Sequence, residues 1–271
     1  MTVILTALIL GVVEGLTEFL PVSSTGHLIV VGHFLGFQGG AADTFDIFIQ
    51  LGAILAVAVY YRAWLGQTIR AALGRVPEAP PTAAVARRSL LAILLAVLPA
   101  MVVGGVLHGA IKRYLFQPWV VSLGLVSGGI AIFAVERWRP TERIRDVSEV
   151  SLSQALLVGA GQCLSMWPGV SRSAATILSG LCLGMDHRTA AAFSFLLSIP
   201  TLTAAVAYDL FRSWHLLSGQ DVLAMGIGFV VSFGVAWAVI AGFIKYLRTH
   251  SLNVFGVYRI LVGLLVGWLE R

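Results

Sequence analysis

The most constraining feature of this chain is a polar cluster set inside apolar sequence. Gly11 to His27 reads GVVEGLTEFLPVSSTGH, with TVILTALIL before it and LIVVGHFLGF after it. Within it, Glu14, Glu18 and His27 stand beside Pro21 and the hydroxyls of Ser23, Ser24 and Thr25. A segment of this hydropathy belongs in a bilayer, where an ionisable side chain is costly and marks a functional position by default. Three of them beside a proline indicate a site, and they break the segment into two pieces too short to be simple spans.

A second stretch answers the first. Gly159 to Thr176 reads GAGQCLSMWPGVSRSAAT, and an offset of 148 residues lays Glu14 on Gln162, Glu18 on Met166, Ser23 on Ser171 and Ser24 on Arg172. The flanks follow, with FDIFIQLGA (45–53) falling on FSFLLSIPT (193–201). This is a weak internal repeat of divergent chemistry: the first copy carries carboxylates and a histidine, the second a guanidinium. Paired Gly/Pro-interrupted apolar segments point to a site near the membrane midplane, at the interface of the repeats.

Composition supports a helical membrane protein. Only 11% of the 271 residues are charged, mean hydropathy is +0.90, and the apolar runs are continuous rather than alternating, which excludes a β-barrel pattern. The net charge of +5 sits in short loops, where it sets topology rather than binding nucleic acid. Cys163 and Cys182 lie in apolar segments and are expected as buried free thiols. No cleavable signal is expected, because Glu14 and Glu18 interrupt the first apolar run.

In chain order, 2–20 and 23–36 form a hairpin that enters the membrane and returns, tolerable only where its backbone faces protein or a wet cavity. Spans follow at 45–61, 89–107 (with Pro99 inside) and 118–136, after a loop from Arg62 to Arg88 that carries Pro77, Pro80 and Pro81. A charged linker, 137–149, leads to a second hairpin at 152–166 and 170–184, then to spans at 189–208, 222–244 and 254–269. The expected fold is therefore an all-α integral membrane protein, one membrane domain over 1–271. It is built as an inverted repeat (about 1–137 and 150–271), each half one re-entrant helical hairpin plus three transmembrane helices. Twelve Lys and Arg fall on one side of this topology against four, Lys112, Arg113, Arg212 and Arg271, on the other. The richer side is cytoplasmic, which puts both termini outside. Arg172 and Arg259 remain, each within a membrane segment.

Glu14 and Glu18 are four apart and share a helix face. Unpaired carboxylates in a dry site must share a proton, meet water or bind a cation, and oxygen ligands suit Mg²⁺ or Ca²⁺. Pro followed by Ser or Thr starts a helix whose free amides attract anions, so Ser23 and Thr25 are substrate contacts or plain N-caps. Ser24 and His27 are three apart, and His27 is placed to take a proton from Ser24 or from a water. In PGVSRSAAT, Ser171, Arg172, Ser173 and Thr176 combine hydroxyls with a donor fork matched to phosphate oxygens. Arg259 is a second phosphate contact, a counter-ion for a Glu, or a snorkelling side chain. Gln50 and Gln162 are expected as packing hydrogen bonds. Together these groups favour an anion whose charge shifts during reaction, as in phosphoryl transfer, and the membrane setting asks for a lipid tail on it.

EGLTEFLPVSSTGH (Glu14–His27) and PGVSRSAAT (Pro168–Thr176) strongly resemble the motifs of the bacterial undecaprenyl-pyrophosphate phosphatases of the bacitracin-resistance type, and the resemblance runs over essentially the whole chain. It implies hydrolysis of undecaprenyl diphosphate to the monophosphate and inorganic phosphate, recycling the lipid carrier of cell-wall polymers. It also implies a divalent cation, an active site at the outer face of the inner membrane, and bacitracin resistance. Carried over by residue, Glu14 and Glu18 take the acidic roles, Ser24 and His27 the nucleophile and base, and Arg172 the phosphate-binding role. Ala174 stands where the family commonly has Gly in PGxSRSGxT, and its methyl narrows the backbone's approach to phosphate. The same residues would serve a transporter or flippase of the lipid phosphate, and the sequence leaves the oligomeric state open, a homodimer included.

Overall fold

The computed structural model describes residues 3–37, 39–75, 81–114, 118–213, 215 and 218–269. Pro77, Pro80 and Arg271, and the side chains of Lys112 and Arg113, lie outside the described residues. Eleven α-helices occur among the described residues, and no strand; a single isolated bridge joins Ile144 and Met185. They are α1 (Val3–Thr17), α2 (Ser24–Phe34), α3 (Gly40–Tyr60), α4 (Arg62–Ala72), α5 (Ala83–Tyr114), α6 (Pro118–Trp138), α7 (Leu152–Gln162), α8 (Arg172–Cys182), α9 (His187–Ser213), α10 (Gly219–Tyr246) and α11 (Asn253–Leu269).

Five stretches are long and apolar enough to cross a membrane: Ala42–Tyr60, Ala83–Val106, Trp119–Trp138, His187–Arg212 and Asp221–Tyr246. Large apolar side chains such as Val106, Leu94, Ile130 and Val230 stand exposed on their outer faces. Water would oppose such a surface and lipid accepts it, so the protein is a multi-pass integral membrane protein. The sixth expected crossing, 254–269, is the shorter helix α11 of 17 residues. Pro99 lies inside α5, and Pro200 inside α9.

The helices of the N- and C-terminal parts interleave: α1 and α3 pack on α10, α3 also on α9, α5 on α7, and α6 on α8 and α11. Small residues make these approaches close, as expected where lipid removes the hydrophobic drive between helices. At Gly159 of α7 a Cβ would stand 2.3 Å from the Ala96 carbonyl of α5. The core runs through both parts, and Phe19 beside the first hairpin's turn packs edge-on against Phe195 of α9 at 5.0 Å between centroids.

Two expectations change, and a third gains detail. The segment expected as a loop from Arg62 begins with α4, which buries Thr68 and Ala71 and packs on α5. The charged linker lies where expected and is pinned: Arg143 and Ile144 donate their amides to the Gly184 carbonyl, and Asp186 donates one to the Ile144 carbonyl. Cys182 is exposed and Cys163 only half-buried, both as free thiols, because their helix faces turn away from the core.

Candidate active site

Each polar stretch places a helix start at the same kind of turn. Ser23 and Ser171, 148 residues apart, are the non-glycine residues with positive φ among the described residues, both at 73°. Each precedes an eleven-residue helix, α2 and α8. That backbone conformation costs of order 1–3 kcal/mol for a side chain other than glycine and persists only where surrounding structure holds it. Here it turns the chain so that Ser24 and Arg172 lead their helices toward one carboxylate.

That carboxylate is Glu18. It lies one residue past α1, yet its amide still donates to the Glu14 carbonyl at 2.9 Å, so the helical turn carries through. Its Oε2 accepts a 2.5 Å hydrogen bond from Ser24 Oγ, and its Oε1 accepts from Arg172 Nη2 at 3.2 Å and Nε at 3.3 Å. Both side chains of the ion pair are nearly buried, at 9% and 5% exposed. The Arg172 guanidinium also donates to the Ser194 carbonyl at 3.1 Å and lies 5.9 Å from the Phe19 ring. A charge-assisted bond in such surroundings is stronger than a neutral one.

Glu14 is different. It is fully buried, neither carboxylate oxygen has a hydrogen-bond partner, and Glu18, Asp46 and Arg172 lie within electrostatic reach. Asp46 of α3, passed over in the sequence reading of FDIFIQ, also has a buried oxygen, Oδ1, without a partner. The signal for it was present: an acid in an otherwise apolar helix. Buried bare carboxylate oxygens are what a cation or a proton would satisfy. Among the described residues no group of three or more His, Cys, Asp and Glu is gathered as a metal ligand set. The residues present fit a magnesium-like ion, which takes one or two carboxylates and completes its shell from water and phosphate oxygens.

His27 does not meet Ser24 in the expected pair. Its Nδ1 lies 2.7 Å from the Ser23 carbonyl, and its Nε2 lies 2.6 Å from the hydroxyl of Tyr258 on α11. The geometric reason is that the Ser24 hydroxyl turns to the Glu18 carboxylate instead.

Several expected substrate contacts are engaged within the protein. Ser171 caps α8 through the Ala174 amide at 3.2 Å and lies 3.0 Å from Ser173 Oγ. Ser173 donates to the Leu20 carbonyl of the first hairpin at 2.8 Å. Thr176 donates back to the Arg172 carbonyl at 2.9 Å and meets Ser194 Oγ at 2.6 Å. Ser23 makes no side-chain cap bond, so of its two expected roles it does not fill that of a plain N-cap, and Thr25 is exposed.

Arg259 is the largest correction. It neither snorkels nor pairs a glutamate: it is fully buried and donates to four carbonyls, Pro21, Gly124, Leu125 and Gly169, at 2.8–3.3 Å. It thereby clasps both hairpin turns to α6. Gln162, expected as a packing hydrogen bond, is buried with both side-chain polar atoms lacking a partner.

Fold and site together define a helical membrane protein that gathers a hydroxyl, two carboxylates and a guanidinium beside the turns that lead into α2 and α8. The chain belongs to the bacitracin resistance protein BacA family, which it matches over residues 7–265. It is 48% identical to an undecaprenyl-diphosphatase of Sorangium cellulosum over 268 residues, covering 97% of this chain and 85% of that protein. Undecaprenyl-diphosphatases of Cereibacter sphaeroides (48% over 260 residues, 96% and 94% covered) and Laribacter hongkongensis (44% over 270 residues, 97% and 96% covered) are similar throughout.

Proposed function

We propose that this chain is an undecaprenyl-diphosphatase, cleaving undecaprenyl diphosphate to undecaprenyl phosphate and inorganic phosphate. The observation that carries the reading is the Ser24–Glu18–Arg172 chain of hydrogen bonds: a hydroxyl already donating to a carboxylate, and a guanidinium fork beside it. Membership of the family and the relatives' names agree with it.

In this reading Arg172 exchanges Glu18 Oε1 for the terminal phosphate oxygens, while Glu18 Oε2 keeps its hydrogen bond from Ser24 and serves as the base. Ser24 Oγ attacks the terminal phosphorus as its proton passes to Glu18 Oε2. The bond from phosphorus to the bridging oxygen breaks, and the lipid monophosphate leaves. A water then attacks the phosphoserine and gives its proton to His27. Ser24 recovers its own proton from Glu18, and inorganic phosphate departs. Glu14 would hold the divalent cation, Mg²⁺ or Ca²⁺, and Glu18 would share it as Arg172 turns to substrate. When bound, that ion neutralises charge on the diphosphate oxygens. Ser173 and Arg259 keep the two turns together, Ser171 and Thr176 hold the first turn of α8, and Ser23 shapes the first turn through its backbone.

The same reading makes the chain one membrane domain of two inverted halves, supported by the 148-residue offset, the paired 73° turns and the equal lengths of α2 and α8. It lies in the bacterial inner membrane with the site open to the outer face and both termini outside, as the distribution of Lys and Arg favours.

The test is phosphate release by the purified protein in detergent from a prenyl diphosphate with Mg²⁺ or Ca²⁺. Release is expected from the wild type, with loss in Ser24→Ala and Arg172→Ala. Full release in both variants would place the chemistry elsewhere, and lipid transfer in vesicles without release would make the protein a carrier.

A further inference from the structure

The hydrogen bond between His27 and Tyr258 joins residues 231 positions apart, and the proposed chemistry leaves it unused. A carbonyl oxygen only accepts, so the hydrogen in the 2.7 Å contact between His27 and the Ser23 carbonyl sits on Nδ1. Nε2 of the neutral ring is then the acceptor, and the Tyr258 hydroxyl is its donor at 2.6 Å. The two rings lie nearly parallel, 6° apart, with centroids separated by 5.6 Å. The imidazole is therefore fixed at both nitrogens, by its own hairpin at one and by α11 at the other.

Its neighbour makes α11 a firm mount. Arg259 ties that helix to the first turn through Pro21, to the second through Gly169, and to α6 through Gly124 and Leu125. Below it α6 and α11 are in direct backbone contact: a Cβ on Gly129 would stand 2.8 Å from the Gly256 carbonyl. A side chain projecting from such a helix one residue before the clasp holds its place relative to both turns.

We infer that Tyr258 is a positioning residue of the hydrolysis: its hydroxyl holds His27 Nε2 in place until that nitrogen is needed as a base. The inference rests on the assignment of His27 as the proton acceptor for water. Nε2 has a single lone pair, so the Tyr258 hydroxyl swings off it as the water arrives. Once the water's proton is on Nε2 and its oxygen has gone to phosphorus, the Tyr258 oxygen returns and accepts the new N–H. No other proton source is required, because the hydroxyl serves the same partner before and after.

The test uses the full chain in detergent, with a prenyl diphosphate and Mg²⁺. Tyr258→Phe keeps the ring and removes only the hydroxyl. Its kcat is expected to fall about tenfold, the worth of one good hydrogen bond, with KM changed less than about twofold. A readout independent of turnover comes from ¹⁵N-histidine NMR: in Tyr258→Phe the His27 Nε2 resonance moves and the Nδ1 resonance stays. His27→Ala with Tyr258→Phe should be no slower than His27→Ala alone. An unmoved Nε2 resonance, an unchanged kcat, or a further loss in the double variant would each overturn the inference. A dead His27→Ala beside a wild-type Tyr258→Phe sinks this inference alone, whereas wild-type turnover in His27→Ala sinks the base assignment and this inference with it.

Discussion

Ser24 and Arg172 never touch a common backbone, yet both are bonded to the same carboxylate: Ser24 Oγ to Glu18 Oε2 at 2.5 Å, Arg172 Nη2 to Glu18 Oε1 at 3.2 Å. Ser24 starts α2 and Arg172 starts α8. Glu18 is thus the point at which the two polar stretches become one site, and its two oxygens are divided between them.

Glu18→Gln should be the most damaging conservative change. It leaves Arg172 as an unpaired charge in a nearly buried place, which costs roughly 3–5 kcal/mol when one partner of a buried pair is removed. It also removes the proton acceptor of Ser24. Phosphate release should fall by at least about a hundredfold, and the thermal midpoint in detergent should drop; turnover near wild type would remove Glu18 from the chemistry.

Arg172→Lys keeps the charge and loses the fork. A lysine can replace one of the donors to Glu18 but not the bond to the Ser194 carbonyl as well. Steady-state kinetics should show both a raised KM for the prenyl diphosphate and a kcat about tenfold lower or worse. The thermal midpoint should change less than in Glu18→Gln.

Ser23 separates a backbone role from a side-chain role. At φ 73°, Ser23→Gly relieves strain and should leave the midpoint unchanged or higher, whereas the β-branched Ser23→Val should cost about 1–3 kcal/mol of stability and lower the midpoint accordingly. Release by Ser23→Gly at close to the wild-type rate would show that the hydroxyl does not bind substrate; a large rise in KM would show that it does.

Arg259→Met would strand four carbonyls in a dry interior, at roughly 1–3 kcal/mol for each group left unsatisfied. Poor yield of folded protein is the expected outcome. Arg259→Lys should fold with a lower thermal midpoint and a KM close to wild type. A normal midpoint with a raised KM would instead restore Arg259 as a substrate contact.

Chelation addresses the cation. EDTA treatment should stop phosphate release and added Mg²⁺ or Ca²⁺ should restore it. Glu14→Gln should raise the metal concentration needed for half-maximal rate, because the residue with two bare oxygens is the one that loses a ligand. An unshifted metal titration in Glu14→Gln would place the ion elsewhere.

Much of this protein was legible without coordinates, and for a common reason: those features are local. Continuous apolar runs predict helices in lipid whatever their neighbours, and Pro followed by hydroxyl residues marks where α2 and α8 begin. The repeat offset singled out Ser23 with Ser171 and Ser24 with Arg172 before any contact was known. Helix α4 was missed because proline and basic residues nearby read as loop, while its apolar face is satisfied mainly by α5.

Pairing was the part that packing decided. Ser24 and His27, three apart, look like partners on a helix face, but an acceptor from the preceding turn reaches the serine first, and a tyrosine 231 residues away takes the histidine. Arg259 looked like a second phosphate ligand because a lone arginine in an apolar helix carries no mark of where it points; the turns of Pro21 and Gly169 meeting beside α11 supply the carbonyls that claim it. The sequence by itself determined the helices, the lipid setting and the residues that carry charge, since each depends on composition and period over a few turns. Which donor met which acceptor depended on helices brought together from distant positions in the chain, and only the tertiary structure could decide that.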